Sequence, residues 1–225
     1  MEIKTIKNSS VENGGVFVYN RRKNMSWYKK RGKRLLDITV SLVALPVIFL
    51  FFPFIALAIK LDSKGQVFFK SRRVSKGRIV IIYKFRTMVV GAEKMKKSIK
   101  HLNERNDGPF FKIKNDPRVT KVGKILRKFW IDELLQFFNV LKGDISLVGP
   151  RPYPPEEVFK YPKEYAFLSR AKAGITGLSQ INGSSSLPFL EVLKFDSYYV
   201  KNVSLRLDLK ILWKTLLLIR KPSGV

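Results

Sequence analysis

The longest apolar run in the chain, LLDITVSLVALPVIFLFFPFIALAI at residues 35–59, carries one charge, Asp37, near its start. About 20 apolar residues suffice to cross a bilayer as a helix, so the pattern predicts a membrane segment. Two features argue against a simple crossing. Basic residues flank both ends, KKRGKR before and Lys60, Lys64, Lys70, Arg72 and Arg73 after, and positive flanks stay on the cytoplasmic side. Pro46 and Pro53 each remove a helical hydrogen bond and crowd the carbonyl four residues back. The predicted element is therefore a bent helix that enters one leaflet and returns to the same face. Backbone freed at a shallow bend finds partners near the headgroups or in the protein.

The remaining pattern divides into shorter pieces. Residues 1–28 lack sustained periodicity and contain Asn-Gly and Gly-Gly turn signals, which predicts a loosely ordered extension. They lack the apolar core and cleavage site of a secretory signal. VFFKSRRVSKGRIVIIYKF, residues 67–85, reads as a hairpin around Ser75-Lys76-Gly77. A charged helix is expected at 89–105. In 116–129, Val122, Ile125, Leu126 and Phe129 have helical spacing, with Lys121, Lys124 and Lys128 elsewhere on the surface. Ile131, Leu134, Leu135, Phe138 and Leu141 predict a second helix with a buried face. Asp132, Gln136 and Asn139 share another face of it. LDLKILWKTLLLIRK, residues 207–221, reads either as a core helix or as one lying in a membrane interface with its lysines toward headgroups.

Composition narrows the chemistry. The 225 residues include 44 Lys and Arg against 17 Asp and Glu, a formal charge of +27, so an anionic partner is implied. With no Cys and a single histidine, His101, disulfides, thiol nucleophiles and Cys/His zinc sites are excluded. Catalysis has to rest on carboxylates, cations and backbone. Nucleic-acid binding fits the charge, but no recognition motif accompanies it and the apolar run goes unexplained.

Three segments carry candidate chemistry. Asp132 and Glu133 stand together in a chain poor in acids. The ordinary reading is a helix start, where acids cap free N–H groups and offset the dipole. Arg127, five residues earlier, changes that reading. Paired carboxylates beside a cation suit a phosphate substrate, by Mg²⁺ bridging or by nucleophilic attack that forms an acyl phosphate. In LKGDISLVGPRPYPPEE, residues 141–157, Arg151 lies between Pro150 and Pro152, either in a plain surface turn or as a rigidly presented guanidinium. AGITGLSQINGSSS, residues 173–186, is either a turn-rich connector or a loop approaching a nucleotide.

In combination and order, these segments are specific. The run from KRLLDITVSL to FFKSRRV, then YKFRTM, LRKFWIDELLQFFNVLKGDISLVGPRP, AGITGLSQINGS and DSYYVKNVSLRLDLKILWKTL resembles the bacterial sugar transferases. These are monotopic polyprenyl-phosphate phosphoglycosyl transferases, and the resemblance covers about residues 30–219. It implies an α+β fold: a small membrane-associated catalytic domain with a re-entrant N-terminal helix and interfacial amphipathic helices. The divisions expected are an extension at 1–28, the re-entrant helix at 29–60 and the catalytic domain at 61–225. The implied reaction moves a phospho-sugar from a nucleoside diphosphate sugar, usually a UDP-sugar, to undecaprenyl phosphate. UMP is released by a ping-pong route with Mg²⁺, on the cytoplasmic face of the inner membrane. By this resemblance Asp132 is the nucleophile and Glu133 its partner acid, both near the metal. Arg127 binds phosphate, Arg151 together with Thr176, Gly177, Gln180, Asn182 and Gly183 lines the donor site, and Pro53 marks the membrane bend. A homo-oligomer is compatible with the sequence. An inactive, membrane-attached polyanion binder is the rival reading. Phe129 and Trp130 stand where the family has small hydroxyl residues, Leu135 where a proline is common, Phe52 where a Ser often precedes the bend proline, and Ser184 where many members carry Arg.

Overall fold

In a computed structural model of the chain, residues 27–183 and 186–220 are described. The predicted 1–28 extension therefore falls almost wholly outside them, as does Ser184. Tyr28 does not belong to an extension: in a π-helical turn, Tyr28–Gly32, it is buried and its hydroxyl donates to Asp208.

Helix α1, Lys33–Asp62, runs through both Pro46 and Pro53. By length and composition, the helical stretch Tyr28–Asp62 could cross a membrane. It is not a free-standing rod. Asp37, Ser41, Leu45, Ile48 and Ile59 are buried, and Phe52 and Ile55 pack against the same body. These positions recur every three or four residues, one stripe of a helix. Leu42, Val43, Leu50, Phe51, Phe54 and Leu57 on the other faces are exposed.

The hairpin forms as its alternation predicts. Strands β1 (Phe68–Ser75) and β2 (Arg78–Phe85) pair antiparallel, with Phe68 opposite Phe85 and Ser75 opposite Arg78. The two-residue turn Lys76-Gly77 has φ of 54° and 70°, as the primed hairpin turns require. The helix expected at 89–105 is not continuous. Only α2, Ala92–Met95, and a 3-10 turn at Lys100–Leu102 form. The segment packs Lys94, Lys96, Lys97 and Lys100 within seven residues, and like charges at helical spacing oppose a longer helix.

Helix α3, Lys121–Lys128, is capped by the Thr120 hydroxyl, which accepts from the Gly123 N–H at 3.0 Å. Leu126 is buried, but Ile125 and Phe129 are exposed, so the expected buried face is narrower than its spacing suggested. A 3-10 turn, Ile131–Glu133, and helix α4, Gln136–Lys142, follow. The single helix expected across 131–141 is thus broken in two, but most of its apolar face is buried as expected: Leu135 is buried, and Ile131 and Leu134 pack beside it with Ile59, Phe85 and Leu126. Asp132, Gln136 and Asn139 are buried while Phe138 is exposed and meets Phe49 of α1 edge-on at 5.6 Å.

Strands β3 (Ser146–Val148) and β4 (Gly174–Thr176) pair in parallel, with α5 (Pro155–Val158) and a 3-10 stretch, Lys163–Arg170, between them. Helices α6 (Phe189–Lys201) and α7 (Leu205–Arg220) close the chain. The core joins Val80 and Ile82 of the hairpin to Val140, Ile145, Leu147, Val148, Tyr199 and Ile211. Helix α7 buries one side and exposes another: Asp208 and Ile211 are buried, whereas Trp213, Leu216 and Leu217 are exposed.

Candidate active site

The reversal that builds the site occurs at Trp130. Its φ of 53° and ψ of 19° lie in the left-handed region, which is unusual for a bulky residue. Helix α3 ends at Lys128, and the Trp130 N–H still donates to the Arg127 carbonyl at 3.1 Å. The Glu133 N–H then donates to the Trp130 carbonyl at 3.1 Å. No side chain caps this start, which fits the missing hydroxyl at Phe129-Trp130. Backbone geometry does the turning instead, and it brings Asp132 and Glu133 back toward Arg127.

The two acids stand in different surroundings. Glu133 Oε1 accepts from Lys84 Nζ at 2.7 Å and from Arg151 at 3.3 Å. Burial alone would raise its pKa, but Lys84, Arg151 and the Gln136 amide outweigh it and hold the carboxyl low. Asp132 is buried and, among the described residues, no side chain hydrogen-bonds its carboxylate. Burial raises its pKa, and the charge of Glu133 adds to that against the pull of Lys84, Arg127 and Arg151. Arg127 is steadied by Nε donating to the Thr87 hydroxyl at 2.9 Å.

Arg151 emerges from β3 on a backbone folded across β4. The Gly149 N–H donates to the Thr176 carbonyl at 2.9 Å, and the Gly174 N–H to the Pro150 carbonyl at 2.9 Å. A Cβ on Gly177 would sit 2.2 Å from the Gly149 carbonyl oxygen, so glycine is needed there for close backbone approach. The structure thus brings together Asp132, Glu133, Arg127 and Arg151. The side chains of the expected donor loop serve the protein itself. Thr176 bonds Thr215 at 2.7 Å, Gln180 donates to the Ile175 carbonyl at 2.9 Å and Asn182 to the Leu178 carbonyl at 2.8 Å. Gly183 closes that loop with a φ of 125°. None of the described side chains there pairs with the dyad.

Sequence reasoning about single residues missed two contributors. Lys84 lies on a strand 49 residues from Glu133, and only the YKFRTM run pointed toward it. Asn139 is fully buried and serves as a substitute strand edge. Its Oδ1 accepts from the Tyr83 N–H at 3.0 Å and its Nδ2 donates to the Ile81 carbonyl at 2.6 Å. It thereby locks the strand that bears Lys84 against α4.

The family profile for bacterial sugar transferases matches residues 28–221, including every element of this site. The chain belongs to the bacterial sugar transferase family. Among related proteins, it is 40% identical over 205 residues to galactosyl transferase CpsE of Streptococcus agalactiae, covering 89% of this chain and 45% of that one. It is 36% identical over 198 residues to the undecaprenyl-phosphate galactose phosphotransferase of Salmonella typhimurium, covering 85% and 41%. To the exopolysaccharide production protein ExoY of Rhizobium meliloti it is 36% identical over 188 residues, covering 82% and 83%. The chain therefore spans less than half of the first two relatives and most of the third.

Proposed function

We propose that this chain transfers a phospho-sugar from a UDP-sugar to undecaprenyl phosphate and releases UMP. The observation that carries this reading is the asymmetry of the dyad: Glu133 is held by Lys84 and Arg151, while the Asp132 carboxylate has no hydrogen-bond partner among the described residues. A buried carboxylate without hydrogen bonds is a strong oxygen nucleophile. In the first step an Asp132 oxygen attacks the phosphorus bearing the sugar, the bond to the bridging oxygen breaks, and UMP departs with that oxygen. In the second step a phosphate oxygen of undecaprenyl phosphate attacks the same phosphorus. The bond to Asp132 breaks, leaving the lipid diphosphosugar and the free carboxylate. Arg127 and Arg151 flank the dyad and offset the charge of the diphosphate.

The residues also fit Mg²⁺. Glu133 is already held by Lys84, Arg151 and the Gln136 amide, so the Asp132 oxygens are the donors left without a hydrogen bond among the described residues. No cluster of three or more acidic or histidine side chains occurs among the described residues, so the ion would be shared with substrate phosphates. Bound there, Mg²⁺ would neutralise charge on the diphosphate.

Attachment to the cytoplasmic leaflet is the accompanying proposal. Lys33 pairs with Asp208 at one end of α1, while at the other Asp62 accepts from the Val122 N–H at 3.0 Å. A helix whose two ends bind the same body fits a return to the same face better than a crossing.

The test is UMP release by purified protein with Mg²⁺ across a panel of UDP-sugars, followed by trapping of the protein with donor labelled in the sugar. Asp132→Asn is expected to abolish turnover and the covalent label while the fold persists. Substantial turnover by that variant would overturn the nucleophile assignment.

A further inference from the structure

Beside the site lies a guanidinium with no hydrogen-bond or ion-pair partner among the described residues. Arg73 stands on β1 opposite Val80, on the hairpin face that also carries Ser71, Ser75 and, across from Phe69, Lys84. Its neighbour Val74 donates its N–H to the Tyr153 carbonyl at 3.0 Å. That bond fastens the strand at residue 73 to the Arg151-Pro152-Tyr153 turn. Arg73 is partly buried, yet among the described residues its side chain forms no hydrogen bond and no ion pair.

The surroundings make this more costly. Burial, and after it the positive charge of Arg151, pull the Arg73 pKa down, against Glu157, Glu156 and Glu93. Glu157 is a weak counter-charge, because burial pushes its own pKa up to about 7. A partly buried cation with no partner, next to a second cation, is unfavourable by itself. It becomes favourable when an anion lies between the two. The order of contacts gives that anion a place. Arg151 pairs with Glu133 and lies near enough for its charge to act on Arg73, whereas among the described residues Arg73 does not pair with the dyad.

We propose that Arg73 is a second arginine for the donor diphosphate, forming with Arg151 a two-guanidinium clamp whose Arg73 arm holds the phosphate that leaves with the nucleotide. Resting on the transfer proposed above, this division of labour puts Asp132 at the sugar-bearing phosphorus and Arg73 at the leaving group. Charge there stabilises the departing UMP and retains it as product.

The experiment measures binding of UMP and of inorganic pyrophosphate to the full chain in lipid nanodiscs, by calorimetry and by ligand-induced Tm shift, for wild type, Arg73→Gln and Arg73→Lys. Arg73→Gln is expected to weaken both probes about 10- to 100-fold, as loss of a charge-assisted pair does. Its ligand-free Tm should equal or exceed that of wild type, since no partner is orphaned. Arg73→Lys should restore only part of the affinity, because a point charge cannot reproduce the fork. KM for the UDP-sugar should rise while KM for undecaprenyl phosphate holds. Unchanged affinity of Arg73→Gln for both probes would overturn the clamp, as would a ligand-free Tm lowered by several degrees, the mark of a structural arginine. Pyrophosphate separates this proposal from the reaction itself. Arg73-dependent pyrophosphate binding by a protein that releases no UMP keeps the clamp and removes the transfer.

Discussion

At the scale of single residues, Trp130 and Lys84 decide what the acidic pair becomes. Both Trp130→Ala and Trp130→Gly delete the same side chain, so their difference isolates the left-handed backbone. An alanine at φ of 53° pays a penalty that glycine avoids, so Trp130→Gly is expected to be more stable than Trp130→Ala by about 1 kcal/mol. Thermal unfolding of the two variants in the same nanodiscs measures this. Lys84→Met is expected to cost about 2 kcal/mol, because Glu133 stays buried and loses its 2.7 Å partner. It should also slow turnover. A Lys84→Met protein as stable and active as wild type would show that the ion pair is incidental. The pairing of Asp132 with Glu133 and their distance from Arg127 were legible in the sequence. The unlike environments of the two acids were not, because Lys84 and Arg151 reach Glu133 from a strand and a turn far away along the chain.

At the scale of elements, α1 shows what periodicity can and cannot say. Its hydropathy announced a membrane segment, yet the buried stripe through Asp37, Ser41, Leu45, Ile48 and Ile59 is invisible in a run where nearly every residue is apolar. Asp37 marks it in retrospect: its carboxylate accepts from the Ser146 hydroxyl and the Leu147 N–H at 2.8 Å each, and pairs with Lys172 at 3.2 Å. Asp37 therefore ties α1 to the strand that leads into Arg151. The chain has no Cys, so single-cysteine labelling is clean. Lys30→Cys and Lys64→Cys are expected to react with an impermeant maleimide from the same side of a membrane. Reaction from opposite sides would establish a crossing. The burial of polar side chains on α4 has a related cause. Phe138 is turned out to Phe49 of α1, and the polar residues, turned inward, serve Glu133 and β2.

For the whole molecule, the surplus of 27 positive charges coexists with buried acids that stability must accommodate. Asp196 accepts from the Ser179 hydroxyl at 2.8 Å, and burial pushes its pKa up to about 7 from an ordinary 3.8. The folded state therefore binds a proton more tightly than the unfolded chain. The resulting stability is complete below about pH 4 and is lost as pH rises toward 7. Asp196→Asn, which keeps an oxygen for Ser179, is expected to flatten the fall in Tm between pH 5 and pH 8 and to raise Tm at pH 8. A wild-type Tm that climbs across that interval, with no difference in the variant, would refute the assignment. The sequence by itself determined the apolar helix, the hairpin, the demand for anionic partners and the dyad, since each is written in local pattern or in neighbouring residues. Tertiary structure alone decided which acid is held by cations, which is left without a hydrogen bond among the described residues, and that the partly buried Arg73 has no partner among them. Those outcomes depend on charges and burial contributed by segments distant in the chain, which no local pattern encodes.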